Sequence, residues 1–93
     1  MTIEDLVERY IKNSQQVFQQ IKKDKNLREK RGEKVLEYAK RYLEDAIYYM
    51  DQKRFETALA SVAYCEGLFD ALKLLEIVEF QWPTNNKKKK NAL

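Results

Sequence analysis

Hydrophobic residues recur with helical spacing in three separate stretches of the chain. In the first stretch, alternating steps of four and three residues place one set on a single side of an α-helix, with Ser14 as its only polar member: Ile3, Val7, Tyr10, Ser14, Val17 and Ile21. Thr2 is followed by Glu4 and Asp5, which predicts an N-cap with favourable charges in the first turn. The apolar pattern ends after Ile21, where charged residues begin.

The second stretch has the same helical spacing, in Val35, Leu36, Ala39, Tyr42, Leu43, Ala46, Ile47 and Met50. Its start is open, because Asn26 is a possible cap and Gly32 a possible later start. Glycine inside a helix costs about 1 kcal/mol relative to alanine, so we expect fraying or a bend before Glu33.

A third stretch follows a short polar break at residues 51–54 and is apolar on most sides, with a main stripe of Phe55, Ala58, Leu59, Val62, Cys65, Phe69 and Leu72. Such a helix is typical of the centre of a bundle. Because only about four residues join it to the second helix, we predict that these two helices are antiparallel neighbours.

The end of the chain changes character after the third helix. Val78, Phe80 and Trp82 alternate with polar residues and precede Pro83, which predicts a short extended segment folded back on the bundle. We therefore predict an all-α fold: a three-helix, up-down-up bundle over residues 1–82. Residues 83–93 are polar and rich in lysine, and we expect a disordered basic tail there.

The net charge of +3 on the 93 residues is unevenly distributed. Residues 22–41 carry nine basic and four acidic side chains, whereas residues 42–82 carry three basic and eight acidic ones. Four of the remaining basic residues lie in the tail. The basic balance is therefore a property of the tail, and the body does not have the uniform charge of a nucleic-acid binder.

The composition also bears on catalysis and location. The chain has no histidine, one cysteine and two isolated glycines, which excludes histidine-assisted nucleophiles, a standard zinc site and a glycine-rich phosphate loop. We predict that the protein is not an enzyme and has no cofactor, and that Cys65 is a small buried hydrophobe. We find neither a long apolar run nor a basic-then-apolar leader, so we expect a cytoplasmic protein without membrane contact.

Acidic residues supply one candidate site. Glu66 and Asp70 share a helix face, and Glu44 and Asp45 lie on the neighbouring helix. Carboxylates meeting across the two helices are able to hold Mg²⁺ or to orient an amine or hydroxyl. The alternative, which we favour, is that they are solvated or accept hydrogen bonds from tyrosine hydroxyls. The candidate ligand or polar-network residues are Asp45, Glu66, Asp70 and Tyr42, and we assign no metal.

Basic and aromatic residues supply a second candidate. The candidate phosphate-contacting residues are Lys22, Lys23, Lys25, Arg28 and Arg31 near the first connection and Lys87, Lys88, Lys89 and Lys90 in the tail. Arg41 beside Tyr38 and Tyr42 is a combination that can stack on bases. The alternatives are a solvated loop and tail for the cations, and core or rim packing for the tyrosines.

Three stretches carry a resemblance to a known family: residues 38–46 (YAKRYLEDA), 55–60 (FETALA) and 64–72 (YCEGLFDAL). They resemble the archaeal family catalogued as domain of unknown function 357. The resemblance implies a compact helical bundle, found alone or attached to nucleotidyltransferase-type domains, without an established activity. Asp45 and Asp70 match recurrent positions of that family.

The chain departs from the family pattern at two positions. Cys65 stands where alanine is usual, and Glu76 stands where glycine commonly follows the leucine pair. The second departure predicts that the third helix continues beyond that point.

Together these features predict a non-catalytic binding or assembly module that self-associates, because the third helix has more apolar surface than two partner helices cover. The expected partner is a second copy or another protein. The alternative is an RNA- or nucleotide-binding accessory domain that acts beside a nucleotidyltransferase.

Overall fold

A computed structural model describes residues 1–23 and 30–83 of the chain. It contains three helices: α1 (Ile3–Lys23), α2 (Lys30–Asp51) and α3 (Phe55–Leu74). The described residues include no β-strand. The predicted all-α, three-helix fold is therefore confirmed.

Helix α1 begins at the predicted cap. The backbone N–H of Asp5 donates to Thr2 Oγ1 at 3.1 Å, and the N–H of Thr2 donates to Asp5 Oδ2 at 3.3 Å, which satisfies two otherwise free donors. The buried stripe consists of Val7, Ile11, Ser14, Val17 and Ile21. It differs from the predicted one, because Ile3 is exposed, Tyr10 is only half-buried and Ile11 takes the buried position next to it.

Helix α2 begins at Lys30 and includes Gly32, so the expected fraying before Glu33 is wrong, and the alternative of a bend there stays a prediction. Gly32 is buried and lies seven residues before Ala39, two turns away on the same core-facing stripe. Packing of this stripe offsets the low helix propensity of glycine. The other suggested start, Asn26, lies outside the described residues.

Helix α3 is the centre of the bundle, as predicted, and contacts both other helices more extensively than they contact each other. Its antiparallel alignment with α2 brings the Tyr42 ring onto the Tyr64 ring, with centroids 4.4 Å apart. Its alignment with α1 is parallel, because Ser14 lies against Cys65 and Phe18 stacks on Phe69 one turn further along both helices. These two alignments give the up-down-up order.

Helices α2 and α3 end in the same backbone arrangement, a Schellman motif. After α2, the Lys53 N–H donates to the Met50 carbonyl at 2.9 Å and the Arg54 N–H to the Tyr49 carbonyl at 2.9 Å. Lys53 has a φ of 61°, in the left-handed region that favours glycine. The motif reverses the chain within three residues, which positions α3 beside α2.

The end of α3 corrects the expectation that this helix continues past Glu76. The Glu76 N–H donates to the Lys73 carbonyl at 2.9 Å, and the Ile77 N–H donates to the Leu72 carbonyl at 3.0 Å. Glu76 itself has a φ of 61°. The helix stops because these bonds close its last turn, and a glutamate adopts the conformation that glycine adopts more easily.

The segment after α3 packs back on the bundle as predicted. Val78 and Phe80 are buried, whereas Glu79 and Gln81 are exposed. The side-chain amide of Gln20 pairs with the backbone of Gln81: Gln20 Nε2 donates to the Gln81 carbonyl and the Gln81 N–H donates to Gln20 Oε1, both at 2.9 Å. Thus α1 completes the backbone bonding of an extended segment.

The predicted basic tail falls almost entirely outside the described residues. Of residues 83–93, only Pro83 is described, and it is half-buried. The boundary between a bundle and a disordered tail stays a prediction.

We expect Glu76→Gly to raise the free energy of unfolding. The left-handed penalty on a residue with a Cβ exceeds the extra chain entropy of glycine in the unfolded state, and the net gain is about 0.5–1 kcal/mol. Urea unfolding followed by circular dichroism measures it. Glu79→Gly is the matched control, because Glu79 is also exposed but has no positive φ, and it should give no gain. Equal effects of the two variants would contradict this account.

Candidate functional site

Glu66 and Asp70 lie together on the side of α3 that faces α1 and the C-terminal segment. Trp82 Nε1 donates a hydrogen bond of 2.7 Å to Asp70 Oδ1. The Trp82 ring also contacts Phe69, the buried neighbour of Asp70, at a centroid distance of 6.3 Å. Asp70 is therefore already engaged in holding the C-terminal segment, which is a structural use of this predicted site residue.

Glu66 is half-buried beside this contact. Burial raises the pKa of Glu66 to about 7, and repulsion by the Asp70 carboxylate contributes to the rise. A carboxyl group with this pKa exchanges a proton near neutral pH, so Glu66 is the most chemically distinctive acid among the described residues.

Cys65 is buried in the core, as predicted. Burial raises the pKa of its thiol to about 12, the charge of Glu66 raises it as well, and the Ser14 hydroxyl opposes the rise. Although Ser14 lies against the thiol, its Oγ makes no contact with hydrogen-bond geometry to any described residue. At neutral pH the thiol is protonated and does not act as a nucleophile.

Asp45 is not brought to Glu66 and Asp70. The stacking of Tyr42 on Tyr64 sets Asp45 level with residue 61 of α3, about 7.5 Å along the helix axis from Glu66. Tyr64 and Glu66 are two residues apart and so point in nearly opposite directions from α3. Asp45 is exposed, and among the described residues no three potential metal ligands cluster together.

Tyr42 contributes its ring to the α2–α3 contact, which is aromatic packing between the helices. Its ring plane lies within 10° of that of Tyr64, an offset or parallel stack that joins two half-exposed positions. The structure thus separates the four predicted residues into a Glu66–Asp70 pair on one flank of α3 and Tyr42 with Asp45 on the other.

The predicted phosphate-contacting residues are only partly described. Lys22 and Lys23 are exposed in the last turn of α1, and Lys22 Nζ lies 5.5 Å from the centroid of the Phe18 ring. Arg31 is exposed in the first turn of α2. The remaining residues of this prediction lie outside the described ranges: Lys25, Arg28, Lys87, Lys88, Lys89 and Lys90.

A further surface lies along the contact between α2 and α3, on the side away from α1. We name it the outer face and define it by Val35, Tyr38 and Tyr42 of α2 and Tyr64 and Leu68 of α3. Tyr38 is 48% exposed and Tyr64 is 57% exposed, which is high for aromatic side chains. The outer face is therefore an apolar surface that the fold leaves partly uncovered.

The outer face has a basic border. A shallow groove of about 310 Å³ is lined by Arg31, Lys34, Val35, Tyr38 and Leu68. The Arg41 guanidinium lies 5.7 Å from the Tyr38 ring centroid and 4.0 Å from a Glu37 carboxylate oxygen. A larger groove of about 800 Å³ lies beside the C-terminal segment. Its lining includes the charged residues Lys73, Glu76 and Glu79.

Sequence reasoning treated the outer-face tyrosines only as candidates for base stacking or rim packing. The signal that would have found the surface is the spacing of Tyr38 with Tyr42 and of Tyr64 with Leu68, four residues apart on two antiparallel helices. The register that brings these residues together across the two helices depends on the turn at Lys53, so it cannot be predicted from the sequence of either helix alone.

We expect Glu66→Gln to make stability less dependent on pH. Because the folded-state pKa of Glu66 is raised, its protonated form stabilises the fold at low pH, and this contribution is lost as the pH rises through about 7. The difference in free energy of unfolding between variant and native chain should therefore increase in favour of the variant from about pH 4 to about pH 8.

Urea unfolding at several pH values measures this difference. Glu79→Gln is the control, because Glu79 is exposed. If the difference in free energy of unfolding for Glu66→Gln is independent of pH and equal to that of the control, the raised pKa of Glu66 is refuted.

Among the described residues, none of the three helices combines the length and the apolar character that a membrane span requires.

Comparison with known proteins places these features in a family. No curated protein and no solved structure matches the chain. The family described as "Protein of unknown function (DUF357)" matches residues 9–78, which include most of α1, the whole of α2 and α3 and the helix end at Glu76. This match covers most of the chain, so the protein belongs to the domain of unknown function 357 family.

Proposed function

We propose that the protein is a non-catalytic module that binds other proteins and self-associates through its outer face. The observation that carries the proposal is the exposure of Tyr38 and Tyr64 on one continuous surface with the half-buried Tyr42 and Leu68. Partly exposed aromatic side chains are rigid and apolar, and they are enriched at protein interfaces.

The arrangement around α3 explains why this surface is open. One flank of α3 is covered by α1 and by the C-terminal segment, including the buried Val78 and Phe80. On the opposite flank, α2 is the element of the described part of the chain that packs against α3, and the two helices leave a groove between Tyr38 and Leu68. A second protein placed on this side would bury the remaining apolar area of the helix pair.

The chemistry of the titratable groups supports a binding role over a catalytic one. The Cys65 thiol is buried and protonated, and the Asp70 carboxylate accepts the Trp82 hydrogen bond. The pKa of Glu66 is raised by its burial and by the neighbouring Asp70 carboxylate. We also propose a cytoplasmic location, because the one cysteine of the chain cannot form an internal disulfide.

We expect Tyr64→Ser to weaken self-association of the native chain by about tenfold, because it removes a central aromatic contact of the outer face. Sedimentation velocity over a concentration series measures the dissociation constant. Tyr64 is more than half exposed, so the variant should keep its fold, which circular dichroism verifies.

Ile3→Ser is the control, because Ile3 is also an exposed apolar residue but lies on α1, on the other side of the bundle. It should leave the dissociation constant unchanged. A native chain that stays monomeric at millimolar concentration would remove the self-association part of the proposal, and equal effects of both variants would remove the outer face from it.

The alternative, an RNA- or nucleotide-binding accessory domain, has one observation in its favour. Arg41 stacks over the exposed Tyr38 ring, and Arg31 and Lys34 border the same groove, a combination suited to a base and its phosphate. A mobility-shift assay with single-stranded RNA at two salt concentrations discriminates the two functions. Salt-sensitive binding that Tyr38→Ala abolishes would favour the alternative, and an unshifted RNA would favour protein binding.

A further inference from the structure

The outward edge of α2 carries a basic residue near one end and an acidic residue near the other, so it is complementary to a second copy of itself that runs in the opposite direction. The exposed residues Lys34, Tyr38, Arg41 and Asp45 form what we name the α2 edge, which borders the outer face. Lys34 and Asp45 are eleven residues apart, about three helical turns, so both point to the same side and lie about 16.5 Å apart along the axis.

The geometry points to a two-fold symmetric dimer in which the α2 edges of two copies pack antiparallel, with Lys34 of each copy against Asp45 of the other. This inference rests on the proposed function and specifies the partner and the register along the α2 edge, which shares Tyr38 with the outer face. In a two-fold interface, a residue that contacts a second residue across the axis is contacted in return, so a single pairing occurs twice.

The same register gives a second complementary pairing. The midpoint between Lys34 and Asp45 falls between residues 39 and 40, so Tyr38 of one copy lies opposite Arg41 of the other. These two groups already attract each other within one chain, where the guanidinium lies 5.7 Å from the ring centroid. Arg31 would correspondingly meet Tyr48, which is 58% exposed.

A parallel arrangement of the same edges lacks this complementarity. It would place Lys34 against Lys34 and Asp45 against Asp45, and like charges across an interface are unfavourable. Charge complementarity therefore selects a second copy in reversed direction as the occupant of this surface.

The test exchanges the two charges. Lys34→Asp alone and Asp45→Lys alone should each weaken self-association by about tenfold, because each creates two like-charge pairs per dimer. An equimolar mixture of the two single variants should associate as the native chain does, since both opposite-charge pairs are then restored. The double variant Lys34→Asp/Asp45→Lys should also regain native association, and sedimentation velocity reads all four samples.

Lys40→Asp is the matched control, because it makes the same charge change on a different side of α2 and should leave association unchanged. Circular dichroism verifies that each variant is folded. If the single variants dissociate but neither the mixture nor the double variant recovers, the antiparallel register is wrong while self-association through the outer face stands. A native chain that remains monomeric overturns both, and single variants that associate like the native chain overturn the register.

Discussion

The burial of Phe69 in α3 is the interaction on which the arrangement of the molecule depends. Its ring is fully buried and contacts Phe18 of α1 at 6.5 Å and Phe80 and Trp82 of the C-terminal segment at 6.3 Å each, between ring centroids. This aromatic cluster holds two separate parts of the chain on the same flank of α3. Within residues 1–23 and 30–83, the other flank packs against α2, and the outer face remains partly exposed there.

The same cluster determines what the acidic residues do. Because Trp82 packs on Phe69, its indole N–H reaches Asp70, and Asp70 in turn contributes to the raised pKa of the half-buried Glu66. The raised pKa of Glu66 is thus a consequence of packing on the covered flank. The Asp70 carboxylate on this flank holds the C-terminal segment, whereas Tyr38 and Tyr64 are exposed on the opposite flank, where we propose that a partner binds.

The sequence was sufficient for features that repeat locally. The stripes on the helices and the alternation of Val78 and Phe80 follow from one-sided burial, which leaves a regular spacing in the sequence. The Thr2 cap follows from a hydrogen bond between residues three apart. It was insufficient where backbone bonds or distant residues decide. At the ends of α2 and α3, Lys53 and Glu76 adopt the left-handed backbone conformation although neither is a glycine. The hydrogen bonds between Gln20 and Gln81 join residues that are 61 positions apart in the sequence.

The candidate site was harder to predict for the same reason. The proximity of Glu66 and Asp70 follows from helix spacing, which the sequence contains. The distance of Asp45 from them depends on the register between α2 and α3, which the sequence does not contain. The central claim, that one flank of α3 is closed and the other available, is tested most directly by amide NMR spectra from micromolar to millimolar protein. We predict concentration-dependent shifts at Tyr38, Tyr64 and their outer-face neighbours. Shifts confined to α1 and residues 78–82, with an unchanged outer face, would contradict the account.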